Sequence, residues 1–397
     1  MDDLRQRLRE LPCGARLLDA AAATAGVHVV GGAVRDLLLG DAAPREFDVV
    51  VEGDPSELAA RLGAEGSAAV VHERFGTATV RAGDCRWDLA AARAETYPRP
   101  GALPEVRPAG IEHDLLRRDV TVNAFALDLA TGDLRAVPHA AEDLAARRLR
   151  VLHDASFADD PTRLWRIARY AARLHFTLEE HTARLARDAV RAGVLDSVSG
   201  TRIGNELRLA LAEPDPVAAL EAAVALGLAP WLEVDRALTE RALALLPAGE
   251  GRRDLLVLAA SLSAPDDARV ADMAFGAAER AIVRACHDAP ALDDAPDAPS
   301  ELARLLRGRP VEAVALAGAR SRSPAGVEAA RRWTRELRHV GLQITGDDLR
   351  AAGVAEGADL GRRLRAVLDM RLDGELDADR GAQLAAALAL PPPVGTT

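Results

Sequence analysis

Short aliphatic runs alternate with helix-like segments along the first third of the chain. The run Val27–Val30 and the run at residues 49–51 predict two strands, and AVRDLLLG between them predicts a short helix after the turn at Gly31 and Gly32. SELAARLG predicts a second helix with a glycine stop, and three strand-like runs follow between glycine turns. Strands that alternate with helices before a set of hairpins predict a small mixed sheet with helices on one side.

In the second half of the chain, apolar positions recur with the 3.6-residue period of amphipathic helices, as in IARYAARLHFTLEEHTARLARDAV. Helices rich in Ala, Leu and Arg continue from there, separated by joints rich in proline and glycine. We therefore expect an α+β head over residues 1–140, a helical neck over 141–215, and a helical body and tail over 216–397. The expected fold class is this α+β head followed by an all-α carboxyl-terminal half.

The composition fits a folded protein of 397 residues with two to four domains, since 49% of the residues are hydrophobic. All 50 basic residues are arginine, and the formal net charge is -11 with a pI of about 5.4. This acidity argues mildly against a nucleic-acid partner, although it does not exclude a local basic surface.

The three cysteines, Cys13, Cys85 and Cys286, are far apart and without metal-ligand spacing. The sequence therefore predicts neither a disulfide framework nor a zinc site. The charged start MDDLRQRLRELP lacks the apolar core of a signal peptide, and no apolar run approaches the roughly 18 residues of a membrane span. We expect a soluble, cytoplasmic protein without membrane contact.

Candidate chemistry begins at the first turn. At Gly31 and Gly32 no side chain keeps a phosphate from the backbone, and the amino terminus of the following helix favours anions. Glu46 and Asp48 stand at i and i+2 of the next strand, so both carboxylates lie on one face and can reach one divalent cation. A phosphate cradle followed by paired carboxylates suits metal-assisted phosphoryl or nucleotidyl transfer.

A second cluster lies at residues 116–124, LRRDVTVNA. Arg117 and Arg118 supply the fork geometry that suits phosphate. Asp119 and Asn123 are four residues apart and can face the same way on a helix, where they would hydrogen-bond a ribose or the surroundings of a triphosphate. A plain cluster of salt bridges at a helix start is the alternative.

A third cluster contains Asp160 and Arg163, which are three residues apart on another predicted helix beginning at Pro161. Together they offer the acceptor and the donors that recognition of the Watson–Crick edge of C or A requires. The alternative is an i,i+3 salt bridge that contributes about 0.2–0.5 kcal/mol.

The order of these motifs resembles the class II tRNA nucleotidyltransferase and bacterial poly(A) polymerase family. GGAVRD is followed by acid-x-acid, RRDVTVNA matches an Arg-Arg-Asp-x-Thr-x-Asn-Ala motif, and DDPTR matches Glu-Asp-x-x-Arg. Two positions depart from the family pattern, because Glu46 replaces the usual first Asp and Asp159 replaces the usual Glu. Glutamate is still a hard oxygen ligand, so we expect activity.

The resemblance implies metal-dependent nucleotidyl transfer. Glu46 and Asp48 would hold two divalent ions, expected to be Mg²⁺, and Asp88 on a neighbouring strand is a candidate third catalytic carboxylate. One ion would activate the 3′-hydroxyl of the primer, and the other would stabilise the departing pyrophosphate. The implied nucleotide-binding residues are Gly31, Gly32, Arg35, Arg118, Asp119, Asn123, Asp160, Arg163 and Arg166.

The implied activity is addition of CCA, or part of it, to the tRNA 3′ end from CTP and ATP without a nucleic-acid template, with the tRNA along the helical half. The proline- and glycine-rich segment 91–114, predicted to lack regular structure, resembles the loop of members that add the terminal A. Arg202 and Glu206 resemble a pair that stabilises the helices around the nucleotide pocket. Three alternatives stay open: an enzyme that adds only A, a poly(A) polymerase, and an inactive RNA-binding relative with Glu46 as the lesion. The sequence does not predict an oligomeric state.

Overall fold

A seven-stranded mixed sheet is the framework of the first of two units, which cover residues 1–229 and 230–397. The computed structural model describes residues 4–40, 44–63, 68–72 and 76–391. The strands of the first unit are β1 (Val27–Val30), β2 (Glu46–Val51), β3 (Ala68–His72), β4 (Thr77–Ala82), β5 (Cys85–Ala91), β6 (Arg93–Thr96), β7 (Glu105–Pro108), β8 (Phe125–Asp128), β9 (Leu134–Ala136), β10 (Arg148–Leu149) and β11 (Thr177–Leu178).

The sheet has the strand order β3-β4-β5-β2-β1-β8-β9, in which β2 and β5 are parallel and the other neighbours are antiparallel. All four residues of β1 are buried, which its unbroken β-branched and apolar character requires of a central strand. The strands predicted from the sequence are confirmed here. In the parallel pair, Glu46 at the start of β2 lies opposite Arg86 of β5, and Asp48 lies opposite Asp88. This pairing positions the site described below.

Helices account for most of the regular structure outside this sheet. Those of the first unit are α1 (Leu4–Glu10), α2 (Pro12–Ala21), α3 (Gly32–Leu39), α4 (Ser56–Leu62), α5 (Ile111–Leu116), α6 (Ala140–Ala145), α7 (Ser156–Asp159), α8 (Arg163–Leu174), α9 (Glu180–Arg191), α10 (Gly200–Leu211) and α11 (Pro216–Ala225).

The described residues of the second unit contain helices α12 (Arg236–Leu245), α13 (Arg253–Ala260), α14 (Asp267–Asp272), α15 (Ala277–His287), α16 (Pro299–Leu306), α17 (Val311–Arg320), α18 (Pro324–Arg335), α19 (Gly346–Ala351), α20 (Ala358–Leu372) and α21 (Arg380–Ala389). The expected fold class, a mixed sheet with helices followed by a mostly helical half, is confirmed. None of the helices in the described ranges is long and apolar enough to cross a membrane. The boundaries expected at residues 140 and 215 stay predictions.

The prediction that segment 91–114 lacks regular structure is wrong. β6 and β7 pair as an antiparallel ribbon, with Arg93 opposite Pro108 and Thr96 opposite Glu105. Proline is tolerated there because Pro108 ends its strand and a two-stranded ribbon has open edges, where a missing N–H breaks no ladder hydrogen bond. The other prolines of the segment fall in the connecting turn, so the segment is a hairpin rather than a loop.

The expectation that the cysteines are unpaired is also corrected. Cys13 of α2 and Cys85 at the start of β5 form a disulfide across 72 residues of sequence, with their Cα atoms 5.5 Å apart. The buried indole of Trp87 donates to the Cys13 carbonyl oxygen at 3.2 Å, which fixes α2 against the same strand. Spacing along the chain could not predict this contact, because it depends on how α2 packs on the sheet. Cys286 is free and buried.

Candidate active site

A cavity of about 950 Å³ opens between the sheet, the hairpin and helix α8. All the candidate site residues predicted from the sequence line this one cavity, which lies wholly in the first unit. These residues are Gly31, Gly32, Arg35, Glu46, Asp48, Asp88, Arg118, Asp119, Asn123, Asp160, Arg163 and Arg166. The structure therefore brings together segments that are more than a hundred residues apart in sequence.

The turn between β1 and α3 forms one wall. Gly31 is the N-cap of α3 with φ of +71°, a conformation that costs a residue with a side chain about 1–2 kcal/mol. A Cβ atom at Gly31 would lie 2.9 Å from Arg118 Nη1 and 3.6 Å from Asp48 Oδ2. The turn thus needs glycine for both its conformation and its space. Gly31, Gly32 and Ala33 line the cavity at the start of α3, where the first N–H groups of a helix lack partners within it and suit a phosphate.

Arg35 lies behind this turn rather than in open solvent. Its side chain is buried, and it donates to the carboxylate of Asp36 and to the Asn123 side-chain oxygen. The guanidinium therefore links the first helix of the site to the segment that carries the second motif. Its charge lies close to the glycine turn, since a Cβ at Gly32 would approach Arg35 Nη2 to 3.3 Å.

Two carboxylates begin β2 next to this turn, since Asp48 pairs with Val30 at the end of β1. Glu46 and Asp48 are exposed to the cavity, whereas Phe47 between them is buried, as the alternation of a strand requires. Asp48 is directly opposite Asp88 in the parallel pairing of β2 with β5. The carboxylates of the sequence motif and the candidate third carboxylate therefore lie along one edge of the cavity.

The environment of Asp48 disfavours its charge. Although Asp48 reaches the cavity solvent, the surrounding protein removes much of its water, and this desolvation raises the pKa of its carboxyl. The negative charge of Asp88 raises the pKa further, while the positive charge of Arg118 offsets part of the shift. A carboxylate held in this way gains most from a cation placed beside it.

Asp88 is already engaged by its neighbours. Thr79 Oγ1 donates to Asp88 Oδ1 at 2.6 Å, and Arg86 Nη2 lies 2.9 Å from Asp88 Oδ2. These contacts fix its orientation in the cavity wall.

The adjacent arginines are held by a residue that the sequence analysis missed. Asp114 is fully buried, and it accepts from Arg117 at 2.7 Å and from Arg118 at 3.0 Å. Arg117 also donates to Glu95 of the hairpin at 3.1 Å. Asp114 precedes the arginines by three and four residues, a spacing that places it on their face of a helix and could have identified it.

Asp119 is the hub of the second motif. It is buried and accepts hydrogen bonds from Asn123 at 3.2 Å, Arg166 at 2.8 Å and Tyr170 at 3.0 Å. Burial alone would raise the pKa of Asp119, but the charge and hydrogen bond of Arg166, with the other two donors, outweigh burial and lower it. Burial next to this carboxylate raises the pKa of Tyr170 to about 12.

The helix predicted for Asp119 and Asn123 is not present. Asp119 precedes the 3₁₀ helix Thr121–Asn123, and the two side chains meet because this tight turn folds back. The predicted proximity is therefore right and the predicted element is wrong. The reason is that Asp119 also accepts from the N–H of Val120, a local bond that competes with helix formation.

The third motif also differs from its predicted helical geometry. α8 begins at Arg163, so Asp160 lies before it in an extended conformation and shares no helix face with Arg163. The alternative of an ion pair between them fails too. Arg163 is buried and donates to Ser156 Oγ at 2.8 Å and to the Arg117 carbonyl oxygen at 2.8 Å. Asp160 instead pairs with Arg202.

Three cavity residues on α8 escaped the sequence analysis: Arg169, Tyr170 and Arg173. They follow Arg166 at intervals of three, four and seven, the spacing of one helix face, and this signal could have found them. The guanidinium carbons of Arg166, Arg169 and Arg173 lie 5.2–5.8 Å from the Tyr170 ring centroid.

The donors at the start of β2 fit a divalent metal ion in one particular way. Among the described residues, no group of three or more His, Cys, Asp or Glu is arranged to hold an ion. Mg²⁺ commonly binds one or two protein carboxylates and takes its other ligands from water and substrate phosphates. Glu46 and Asp48 fit that mode, and the start of α3 next to Asp48 is suited to the phosphates.

Comparison with known proteins supports the family resemblance that the sequence motifs predict. Residues 27–150 match the model of the Poly A polymerase head domain. The chain is 38% identical over 357 residues to a CC-adding tRNA nucleotidyltransferase of Deinococcus radiodurans, covering 87% of this chain and 84% of that protein. It is 34% identical over 388 residues to an A-adding tRNA nucleotidyltransferase of Geobacter sulfurreducens, covering 88% of this chain. That alignment spans 43% of the Geobacter protein, so the chain covers less than half of that relative's length.

Solved structures agree over nearly the whole chain. A structure described as a CCA-adding enzyme in apo form II is 28% identical with a TM-score of 0.78, covering 98% of this chain and 96% of that one. The Thermotoga maritima CCA-adding enzyme complexed with tRNA is 28% identical with a TM-score of 0.70, covering 97% and 94%. On these matches, and on the motifs gathered in the cavity, the chain belongs to the family of class II tRNA nucleotidyltransferases and bacterial poly(A) polymerases, whose members generally use a divalent metal.

Proposed function

We propose that this protein is a tRNA nucleotidyltransferase that adds CCA, or part of it, to the tRNA 3′ end from CTP and ATP without a nucleic-acid template. The observation that carries the proposal is the single cavity that holds a phosphate-binding turn, paired carboxylates and the Asp160 and Arg163 side chains together. The relatives named as CC-adding and A-adding enzymes, and a neighbour complexed with tRNA, support it.

The triphosphate would bind at the turn of Gly31 and Gly32. The free N–H groups at the start of α3 and the guanidinium of Arg118, close to Gly31, provide the donors and positive charge that phosphates require. Arg35 would support this wall from behind, and Asp119 with Asn123 would hold the sugar side of the nucleotide. Arg166 would act mainly by keeping Asp119 ionised and oriented.

Glu46 and Asp48 would hold the divalent ions, which we propose to be two Mg²⁺ ions, with Asp88 beside them. Such ions activate the attacking 3′-hydroxyl and stabilise the departing pyrophosphate. The protein's own contribution is to orient the carboxylates on one face of β2 and to keep the triphosphate opposite them.

Base selection would depend on Asp160 and Arg163. Cytosine and adenine both present an exocyclic amino group, for which a carboxylate oxygen is the natural acceptor. Arg163 has five N–H donors, of which the described residues engage three, so it can still donate to a base.

We place this activity in the cytoplasm, where thiols are kept reduced and the Cys13–Cys85 bond would be open.

The decisive experiment is nucleotide incorporation by the purified protein with Mg²⁺. tRNA transcripts ending at the discriminator base, at C and at CC are each offered labelled CTP or ATP. Addition of C to the first two and A to the third is expected for a full CCA-adding enzyme. Addition of A to the CC transcript alone would identify an A-adding enzyme, and long A tracts on unrelated RNA would identify a poly(A) polymerase.

Two variants control this assay. Asp48→Asn is expected to lower incorporation at least a hundredfold, because it removes a ligand charge. Glu46→Asp tests the departure from the family pattern. If the natural protein is silent on every RNA and Glu46→Asp is active, the protein is an inactive relative, and the proposed activity is overturned.

A further inference from the structure

Arg202 does not pair with Glu206 through the contact that the sequence suggests. Its Nη2 atom donates to Asp160 Oδ1 at 2.8 Å, and its Nη1 atom donates to the Gly101 carbonyl oxygen at 2.8 Å. Arg202 is on the first turn of α10, whereas Gly101 lies in the turn of the β6–β7 hairpin. One guanidinium therefore joins a base-site carboxylate to a distant turn.

The hairpin turn is held against the neighbouring segments by close contacts at Gly101. Its N–H donates to the carbonyl oxygen of Ala158, two residues before Asp160, at 3.0 Å. Gly101 has φ of +70°, and a Cβ atom there would lie 2.1 Å from Ser197 Oγ. No other residue type could approach so closely in this conformation. The Gly101 carbonyl is thus a rigid anchor for the Arg202 side chain.

The hydrogen bonds that the Asp160 side chain accepts from described residues all involve one of its two carboxylate oxygens. Oδ1 accepts from the Thr162 N–H at 3.0 Å, from Thr162 Oγ1 at 2.7 Å and from Arg202. Within the described part of the chain, no hydrogen bond is recorded on Oδ2. Asp160 lines the cavity, so these bonds to Oδ1 determine which oxygen is available to a ligand.

We propose that Arg202 is a positioning residue for base selection, which holds the Asp160 carboxylate through the docked hairpin turn. This inference rests on the proposed function and deepens it. Cytosine and adenine place an amino donor at the position where uracil and guanine place a carbonyl oxygen. A fixed carboxylate oxygen accepts from the amino group and repels the carbonyl. Without Arg202 the carboxylate keeps, of its described bonds, only those from Thr162, so it is held less firmly and discriminates less.

Equilibrium binding of labelled CTP, ATP, UTP and GTP to the full-length protein tests this without requiring turnover. Arg202→Met keeps the length of the side chain and removes both hydrogen bonds. We expect the preference for CTP over UTP and for ATP over GTP to fall about tenfold or more, since the charged hydrogen bond that holds Asp160 is lost. Arg184→Met, which removes an exposed arginine paired with Glu180, is the matched control and should leave the preference unchanged.

Two further variants separate positioning from general damage. Arg202→Lys keeps the charge and can reach one partner, so it should recover part of the preference. Gly101→Ala should lower the preference by itself, and adding Arg202→Met to it should lower it little further, because both act through one contact. Thermal unfolding checks that each variant is folded.

The inference is overturned if Arg202→Met weakens all four nucleotides equally, or if it leaves the preference intact. It is overturned as well if Arg202→Lys and Arg202→Met are indistinguishable in base preference. Failure of the proposed function is a different result: the natural protein would then bind nucleotides selectively and extend no tRNA.

Discussion

At the scale of single residues, Asp48 is placed where its charge is costly. Desolvation and the neighbouring Asp88 charge raise the pKa of its carboxyl above the ordinary value of about 3.9. A group whose folded pKa is raised costs stability as the pH rises through the folded value, and it costs nothing well below the unfolded value. Sites that bind cations commonly carry this kind of stored repulsion.

We predict that Asp48→Asn unfolds at a higher temperature than the natural protein at pH 7 without metal, although its incorporation falls at least a hundredfold. The two melting temperatures should converge below about pH 4, where Asp48 is protonated in both states. Thermal unfolding across pH 3–8 measures this. Asp54→Asn is the control, since hydrogen bonds from Ser56 lower the pKa of Asp54, and its removal should not stabilise. A lower melting temperature for Asp48→Asn at pH 7 contradicts the prediction.

The pKa of Asp119 shifts in the opposite direction to that of Asp48. Because its pKa is lowered in the folded state, it contributes stability that is complete above the unfolded pKa of about 3.9 and is lost as the pH falls below it. We predict that Asp119→Asn lowers the free energy of unfolding by about 1.5–3 kcal/mol at pH 7, since it removes the charged acceptor of the Arg166 and Tyr170 hydrogen bonds. Denaturant unfolding at pH 7 and at pH 3 should show the difference shrinking in acid. A difference that does not depend on pH would contradict it.

At the scale of elements, the β1–α3 turn requires glycine at position 31 for two reasons: its positive φ and the lack of space for a Cβ atom. We predict that Gly31→Ala lowers the affinity for CTP and ATP at least tenfold, because its Cβ would displace Arg118 from the phosphate site. Gly83→Ala is the matched control, with φ of +56° and nothing within 4 Å of the added Cβ. Both changes place a side chain at positive φ, which costs about 1–3 kcal/mol of backbone strain. Equal nucleotide affinities in the two variants would rule out the close approach as the reason for glycine.

A second element-scale prediction concerns the disulfide between α2 and β5. A cross-link that closes about 72 residues is worth about 4 kcal/mol in the chain-entropy model. We therefore expect the Cys13→Ser, Cys85→Ser double variant to lose up to that amount under oxidising conditions. Under reducing conditions it should match the natural protein, and denaturant unfolding with and without a thiol reductant makes the comparison. Cys286→Ser is the control for a buried cysteine without a partner thiol.

At the scale of the whole molecule, the described residues that line the cavity all belong to residues 1–229. We predict that a fragment of residues 1–229 binds CTP and ATP within about threefold of the full-length affinity. It should extend tRNA poorly, because the helical residues 230–397 are proposed to hold the tRNA. Cooperative unfolding of the fragment, followed by nucleotide binding and tRNA extension, provides the test. Loss of nucleotide binding by a folded fragment would show that the second unit contributes to the site.

The sequence by itself determined the strands around Gly31 and the paired carboxylates on one face of β2. These features follow from local rules, since alternation along a strand and the freedom of glycine act over a few residues. The family resemblance then supplied what those residues would do. The cavity agrees with the residues chosen, while their chemical roles stay predictions.

Only the tertiary structure decided which of these side chains touch. Asp160 pairs with Arg202 rather than Arg163, Cys13 meets Cys85, and segment 91–114 forms a hairpin. The first two contacts join residues far apart in sequence, whose distance is fixed by tertiary packing and not by any local periodicity. Spacing and the family resemblance therefore predicted residues that line one cavity, and packing determined their contacts.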